Sequence, residues 1–198
     1  MTNKKIVKGA ALLQGNKTSA IKRAALIEVA KKGYARLTME AVAKRAKVGK
    51  AALYRRWSGK EDMLIDLLHT IGLEIVSVED QGSLEADLTA YVKQTIQLLK
   101  RPLAKKILPD LYAEMTRDTL FAEKIRQVMQ RPKRAKASEI MERAIVRKEI
   151  NTPIDKEIML DALAGIIYWR FIITQEPLNE DYSASLVAIL VAVFTATK

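Results

Sequence analysis

Cysteine is absent and histidine occurs once, as His69. Without thiols there is no disulfide, no zinc-thiolate site and no thiol nucleophile, and one imidazole does not make a metal-ligand cluster. The phosphate-cradling patterns G-x-x-x-x-G-K-[ST] and G-x-G-x-x-G are also missing. Carboxylate pairs such as Glu157 with Asp161 fall at i, i+4, the spacing of a solvated helix face. A non-enzyme with no catalytic residue, no metal and no cofactor is therefore expected. Long apolar runs are lacking too. The longest, Leu186 to Phe194, has nine residues, whereas a membrane-spanning helix needs about 20, and Ala10 to Leu13 is too short for the core of an export signal. The expected address is the cytoplasm, with no membrane partner.

Acidic residues are scarce in the first third of the chain. Residues 1–60 carry sixteen lysines and arginines against Glu28 and Glu40, a net +14, while residues 61–198 hold eighteen against twenty-one, a net −3, which together give the +11 of the whole. A generally basic surface would spread the excess evenly. Concentration at one end points to a polyanionic partner, and nucleic acid outranks membrane because these cations sit on short helices without a broad apolar face.

What is present is organised around Thr38 to Lys60, TMEAVAKRAKVGKAALYRRWSGK. Met39, Val42 and Ala46 share one helix face, and Thr38 supplies an N-cap hydroxyl before them. Lys47, Val48 and Gly49 make a turn, and Gly49 suits the non-helical backbone at a helix start. A second helix is predicted from Lys50 to Trp57, with Leu53 and Trp57 inward and Lys50, Ala51, Ala52, Tyr54, Arg55 and Arg56 outward. Small residues among cations and an amphipathic ring suit an anionic groove.

Residues 21–64 resemble the DNA-binding domain of the TetR/AcrR family of bacterial transcription regulators. Ile21, Ala24, Ala25, Gly33 and Tyr34 match the family's first helix and its end, and Thr38, Val42, Ala43, Ala46 and Val48 match the second helix and turn. Lys50, Leu53, Tyr54, Trp57, Lys60, Glu61 and Leu64 match the recognition helix and the start of the fourth. Two positions depart from the family's pattern: Lys47 stands where glycine is usual, and Gly49 where a hydroxyl is. A lysine at positive φ there costs roughly 1–2 kcal/mol.

The resemblance implies a one-component, ligand-responsive regulator, expected to be a repressor, whose homodimer binds a near-palindromic double-stranded DNA operator. Its two recognition helices are expected about one DNA turn apart, roughly 34–36 Å. By side-chain chemistry and motif match, Arg55 and Arg56 are candidates for guanine edges or phosphates, and Tyr54 for phosphate or thymine. Ala51 and Ala52 serve thymine methyls or mere steric permission. Thr38, Gly49, Lys50 and Lys60 are phosphate contacts, flanked by Lys44 and Arg45. The alternative, a basic architectural protein coating DNA without sequence choice, leaves the apolar remainder of the chain without a purpose.

An all-α fold is expected throughout: a three-helix helix-turn-helix head plus a C-terminal helical domain for ligand binding and dimerisation. The predicted divisions are a basic flexible arm over 1–17, a head over 18–64 and a body over 65–198. Lys4, Lys5 and Lys8 of the arm are either solvated or add DNA contacts. Thr18 or Ser19 caps the first helix, which stops at Gly33. Ser58 and Glu61 form a capping-box pattern opening a fourth helix that runs to about Ser77 and carries His69, read as a packed or capped side chain. After a linker over 78–83, helical runs are predicted near 83–101, 103–116 and 118–148, punctuated by Pro102 and Pro132. The cluster Arg131, Lys133, Arg134 and Lys136 reads as a solvated face in preference to a second DNA patch.

The last two helices, from Ile154 to about Gln175 and Glu180 to about Thr197, are the most apolar. The final one is apolar all round between Leu186 and Phe194, which one buried face does not satisfy. A dimer through a four-helix bundle is the expected remedy, with Gly165, Trp169, Leu186, Ile189, Leu190 and Val193 at the interface. An unidentified small-molecule effector is expected between the helices of the body, with Tyr112, Met115, Tyr168, Trp169 and Phe171 as walls, though core packing also explains each.

Overall fold

The computed structural model describes residues 3–70, 76–150 and 155–196, with backbone alone for residues 3–16, 69 and 70. The reading of His69 as a packed side chain, and the contacts expected of Lys4, Lys5 and Lys8, lie outside the described side chains. The elements are α1 (Asn3–Lys32), α2 (Met39–Ala46), α3 (Lys50–Tyr54), α4 (Lys60–Thr70), α5 (Leu84–Leu99), α6 (Pro102–Met115) and α7 (Thr119–Ile125). A π-turn (Arg126–Gln130) leads into α8 (Arg131–Val146); α9 (Lys156–Tyr168) runs into a second π-turn (Trp169–Thr174), and α10 (Glu180–Thr195) ends the fold. No strand occurs among the described residues, so the protein is all-α. None of the described helices is long and apolar enough to cross a membrane.

Contacts divide the chain into two compact units. One joins Met1–Ile71 to Lys106–Ile125; the other joins Gly72–Lys105 to Arg126–Lys198. This differs from a division at residue 64, because α4 and the stretch from Lys106 through α7 belong with the head.

In the first unit, α1 packs on α2 and α4, α2 on α3, and α4 on α7. Its core comprises Ile21, Ala25 and Val29 of α1, Val42 of α2, Leu53 of α3, and Met63, Leu64 and Leu67 of α4, each at most 2% exposed. Gly33 ends α1 at φ +79°, and a Cβ there would lie 2.8 Å from Asp110 Oδ1. The conformation and the close approach both require glycine. Asp110 in turn accepts the Tyr34 N–H at 2.5 Å, so a residue of α6 satisfies a backbone donor at the end of α1. Tyr34 stacks on Phe121 of α7 with centroids 4.6 Å apart.

Several predicted boundaries move. α1 runs unbroken from Asn3, upstream of the expected cap at Thr18, because residues 3–17 contain no proline and are rich in helix-forming Ala, Leu, Lys and Gln. α4 does not reach Ser77, since residues 76–81 are non-helical. Its cap uses a different acid from the one expected: Asp62, not Glu61, accepts the Ser58 N–H at 2.9 Å, while Glu61 pairs with Lys124 at 2.8 Å. The helix begins at Lys60, which places Asp62 at the third position and one turn from Ser58.

The second unit holds α5, α8, α9 and α10, with α10 on α5, α5 on α8, and α9 against both α8 and α10. Its polar hub is Asp87, with no exposed surface. Asp87 accepts from the Gln81 N–H at 2.8 Å, Arg143 Nε at 3.3 Å and Arg147 Nη2 at 3.0 Å. Burial pushes its pKa up, but those donors outweigh it and hold the carboxyl below its ordinary value.

Candidate nucleic-acid interface

The cationic face is built on α2 and α3. Thr38 has extended backbone, and its Oγ1 accepts the Ala41 N–H at 3.1 Å, starting α2 as expected. At the other end Lys47 adopts φ 54°, ψ 44°. The Val48 N–H reaches the Ala43 carbonyl at 3.0 Å, the bond of a left-handed helix stop. Lys47 therefore occupies the conformation glycine would take freely. Gly49 (φ −71°, ψ 148°) then caps α3 by backbone alone.

α3 is shorter than the predicted Lys50 to Trp57 helix. It ends at Tyr54 with Arg55 as its cap, and the chain turns so that the Trp57 indole donates to Asp66 Oδ2 at 2.9 Å. The Arg56 and Trp57 N–H groups still reach the Leu53 carbonyl at 2.8 and 3.0 Å, so a last turn closes the helix beyond Tyr54. Leu53 and Trp57 are buried, as their spacing predicts.

The candidates separate into two sets. Lys44, Gly49, Lys50, Ala51, Tyr54 and Arg55 are exposed, and Tyr54 retains 51% of its surface. Lys50 pairs with Glu40 at 2.8 Å, but both side chains are more than half exposed, so a competing anion can displace the carboxylate. The Arg55 guanidinium makes no ion pair or hydrogen bond among the described residues.

The other set is already engaged within the fold. Arg45 Nε lies 2.5 Å from Glu28 Oε1, and Lys32 Nζ lies 3.0 Å from Oε2. Glu28 is only 3% exposed; the bond from Arg45, ahead of the opposing burial, holds its pKa below the ordinary value. Arg56, expected outward, is half-buried and donates to Thr18 Oγ1 at 3.0 Å and the Ala52 carbonyl at 2.8 Å. Lys60, expected at a phosphate, donates to the Tyr34 and Ala35 carbonyls at 3.3 and 3.1 Å and lies 4.6 Å above the Tyr34 ring. These three cations brace α1 against α2, α3 and α4. Ala52 is half-buried beside them. Lys47, treated from sequence only as a turn residue, stands exposed beside Lys44 and Lys50. Its occurrence where glycine is usual was the available signal.

The effector candidates are split between units: Tyr112 and Met115 fall in the first, Tyr168, Trp169 and Phe171 in the second. Trp169 is 61% exposed and lines an open groove of about 510 Å³ with Gly165, Ile166, Arg170 and Tyr182. The predicted dimer residues also divide. Leu186 and Leu190 are 3% and 1% exposed within the single chain and belong to its core, because α10 turns that side to α5. Ile189 and Val193, on the other side of the same helix, are 58% and 52% exposed. Gly165 is exposed, and an added Cβ would meet nothing within 4 Å, so no close backbone approach uses it inside the chain. The cluster near Pro132 is not an open basic patch: Arg134 reaches Glu157 and Asp161 at 2.5 and 2.6 Å, Lys136 pairs with Glu139, and Lys133 is half-buried.

Residues 21–67 match the family described as bacterial regulatory proteins, tetR family, and residues 78–190 match the tetracyclin repressor-like C-terminal domain. The chain is 29% identical over 168 residues to the uncharacterized HTH-type transcriptional regulator YdeS of Bacillus subtilis (strain 168), covering 85% of this chain and 84% of that protein. It is 27% identical over 175 residues to the DNA-binding transcriptional repressor TetR of Mycobacteroides abscessus, covering 86% and 90%. The solved TetR family transcription regulator SCO0332 matches with a TM-score of 0.69 at 26% identity, over 92% of this chain and 99% of that one. Salmonella enterica GusR matches with a TM-score of 0.76 over 91% and 96%; at 17% identity it shows the shared fold alone.

Proposed function

The chain belongs to the TetR family and is a DNA-binding transcription regulator, and from that premise we propose that it is a repressor whose homodimer holds a near-palindromic operator until a small molecule binds its body. The observation that carries this reading is the exposed face of α3, where Lys50, Ala51, Tyr54 and Arg55 stand clear of the fold while Leu53 anchors the helix beneath them. In this reading Arg55 reads a guanine edge, Ala51 meets a thymine methyl, and Tyr54, Lys50, Lys47 and Lys44 hold phosphates. The Gly49 N–H at the start of α3 adds a neutral phosphate donor. Arg45, Arg56 and Lys60 serve the interface by fixing the helices that present it.

Dimerisation supplies the second reading head. Ile158, Trp169 and Ile173 after the start of α9, and Ile189 and Val193 of α10, each leave more than half of their surface exposed. An apolar surface of this kind is covered by a second copy. Selection of bound sequences from a random duplex pool tests the whole proposal. A dyad with half-sites one helical turn apart is expected, at least roughly a thousandfold preferred over scrambled duplex. Equal affinity for all duplexes with a steep salt slope would refute it in favour of a DNA-coating protein.

A further inference from the structure

We infer that Glu40 is a built-in competitor of DNA: in the free protein its carboxylate holds Lys50 in the place of a backbone phosphate, and binding exchanges one anion for the other. This rests on the placement of Lys50 at a phosphate given above, and it adds the residue that sets how tightly the head holds any duplex.

Residues 1–60 contain two acids, Glu28 and Glu40. Glu28 is 3% exposed and takes a bond from Arg45 inside the head. Glu40 is therefore the one acid left on the surface of a stretch that carries sixteen cations. It stands among the cations read as DNA contacts. Glu40 lies in the first turn of α2, one turn before Lys44 on the same helix face, and its Oε1 is 2.8 Å from Lys50 Nζ at the start of α3. Of the exposed cations Lys44, Lys47, Lys50 and Arg55, only Lys50 has a carboxylate partner among the described residues. The bond from Lys50 holds the Glu40 carboxyl below its ordinary value, so it is ionised at neutral pH.

The contact is an ammonium on an anionic oxygen, at the distance a phosphate oxygen would also take. Both side chains are more than half exposed, and an exposed pair is worth no more than about fivefold in an equilibrium constant. A phosphate contact that also releases a condensed counterion outcompetes it. The displaced carboxylate stays beside Lys50, and salt screens charges only beyond about 8 Å, so it repels the phosphate that replaced it. Both effects oppose phosphate contacts, and neither involves a base edge. Non-specific binding is made of phosphate contacts, so Glu40 loosens the hold on every duplex by the same factor. A purely structural role differs in what it predicts. An acid in the first turn of a helix stabilises it through the dipole, which would affect stability and leave DNA binding alone.

The test is fluorescence anisotropy with two labelled duplexes, the one selected from the random pool and a scrambled one, over a series of salt concentrations. The full-length wild type, Glu40→Gln, Lys50→Gln and the double variant are compared. Glu40→Gln should tighten both duplexes by about three- to tenfold and steepen the salt slope by about one. In the Lys50→Gln background the gain should be smaller by about two- to fivefold, since no pair is left to break. Glu40→Asp, which keeps the charge on a shorter arm, should fall between wild type and Glu40→Gln. Thermal unfolding checks each variant, and the Asp variant carries the test if the Gln variant does not fold. Unchanged affinity and slope in Glu40→Gln with a lower melting temperature would mean that the acid serves α2 alone, and overturns the inference. A gain confined to the selected duplex overturns it as well, and so does an equal gain in both backgrounds, the mark of a general charge effect. If Glu40→Gln is silent while Lys50→Gln weakens both duplexes, the inference fails and the placement of Lys50 stands. If Lys50→Gln changes neither affinity nor slope, with or without Glu40, that placement is itself wrong.

Discussion

Each unit carries one surface suited to a partner, and the two surfaces differ in kind. In the first, the side chains left outward around α2 and α3 include Lys44, Lys47, Lys50 and Arg55, with leucine, methionine and tryptophan packed beneath them. In the second, an acid is sunk at the centre as Asp87, while isoleucine, valine and tryptophan of α9, the π-turn after it and α10 face outward. One surface suits a polyanion, whose counterions it displaces; the other suits an apolar partner of the same kind. The head also spends cations on its own geometry. Arg45, Arg56 and Lys60 are each tied to α1 or to the residues just after it, so a count of basic residues overstates the number that meet DNA.

The sharpest way to break this contrast is to charge the apolar surface. Ile189→Asp with Val193→Asp is expected to give a folded single subunit in analytical ultracentrifugation, because both side chains already face solvent in the isolated chain. Operator affinity should fall by about 10²- to 10⁴-fold, the contribution of linking two heads, while the thermal stability of each head stays close to wild type. Retention of the dimer would place the interface elsewhere.

Removing the buried acid is the next largest change. Asp87→Ala leaves Arg143 and Arg147 facing each other without their shared carboxylate and should cost about 3 kcal/mol in denaturant unfolding. The sign of the pH dependence comes from a folded pKa held below the ordinary aspartate value of 3.8. The contribution is present in full above that value and is lost as pH falls through it towards the folded pKa. An acid titration of wild type should show this loss, and that of the variant should be flatter below pH 4. Equal slopes would mean that Asp87 is not the group that titrates.

Within the head, the two sets of cations should behave differently. Arg55→Ala should lower affinity for the selected operator by about 1–3 kcal/mol and relax choice at one base pair. Lys44→Ala should weaken operator and scrambled duplex alike and reduce the salt slope by about one. Arg56→Ala should show its main effect in thermal unfolding, through the bonds to Thr18 and the Ala52 carbonyl. If Arg56→Ala instead relaxes base choice at full stability, its assignment as a brace is wrong.

The helix-turn-helix was legible because its signals are local. Thr38 caps α2, Gly33 stops α1, and Leu53 and Trp57 are buried where their spacing puts them. What escaped depends on contacts distant in sequence or on geometry that apolar spacing does not record. Asp66 takes the Trp57 indole N–H nine residues away, and Asp110 reaches Tyr34 across 76. The two π-turns leave no mark in a pattern read at 3.6 residues per turn. α10 is apolar on every side, so its sequence has no preferred direction and did not separate Leu186 and Leu190, which stay inside, from Ile189 and Val193, which do not.

The smallest expected effect bears most directly on what the head is for. Lys47 is held at φ 54°, a conformation that costs an L-residue roughly 1–2 kcal/mol. Glycine would adopt it without strain but gives up more chain entropy on folding, about 0.5–1 kcal/mol. Lys47→Gly should therefore raise the stability of the head by about 0.5–1 kcal/mol or leave it level. The same substitution removes an exposed cation between Lys44 and Lys50, so affinity for any duplex should fall severalfold, with one fewer unit of salt dependence. Stability and DNA affinity moving in opposite directions would show that a strained backbone is kept for the charge it carries. A loss of both would mean that the Lys47 side chain holds the turn together, and that the cationic face is narrower than its exposure suggests.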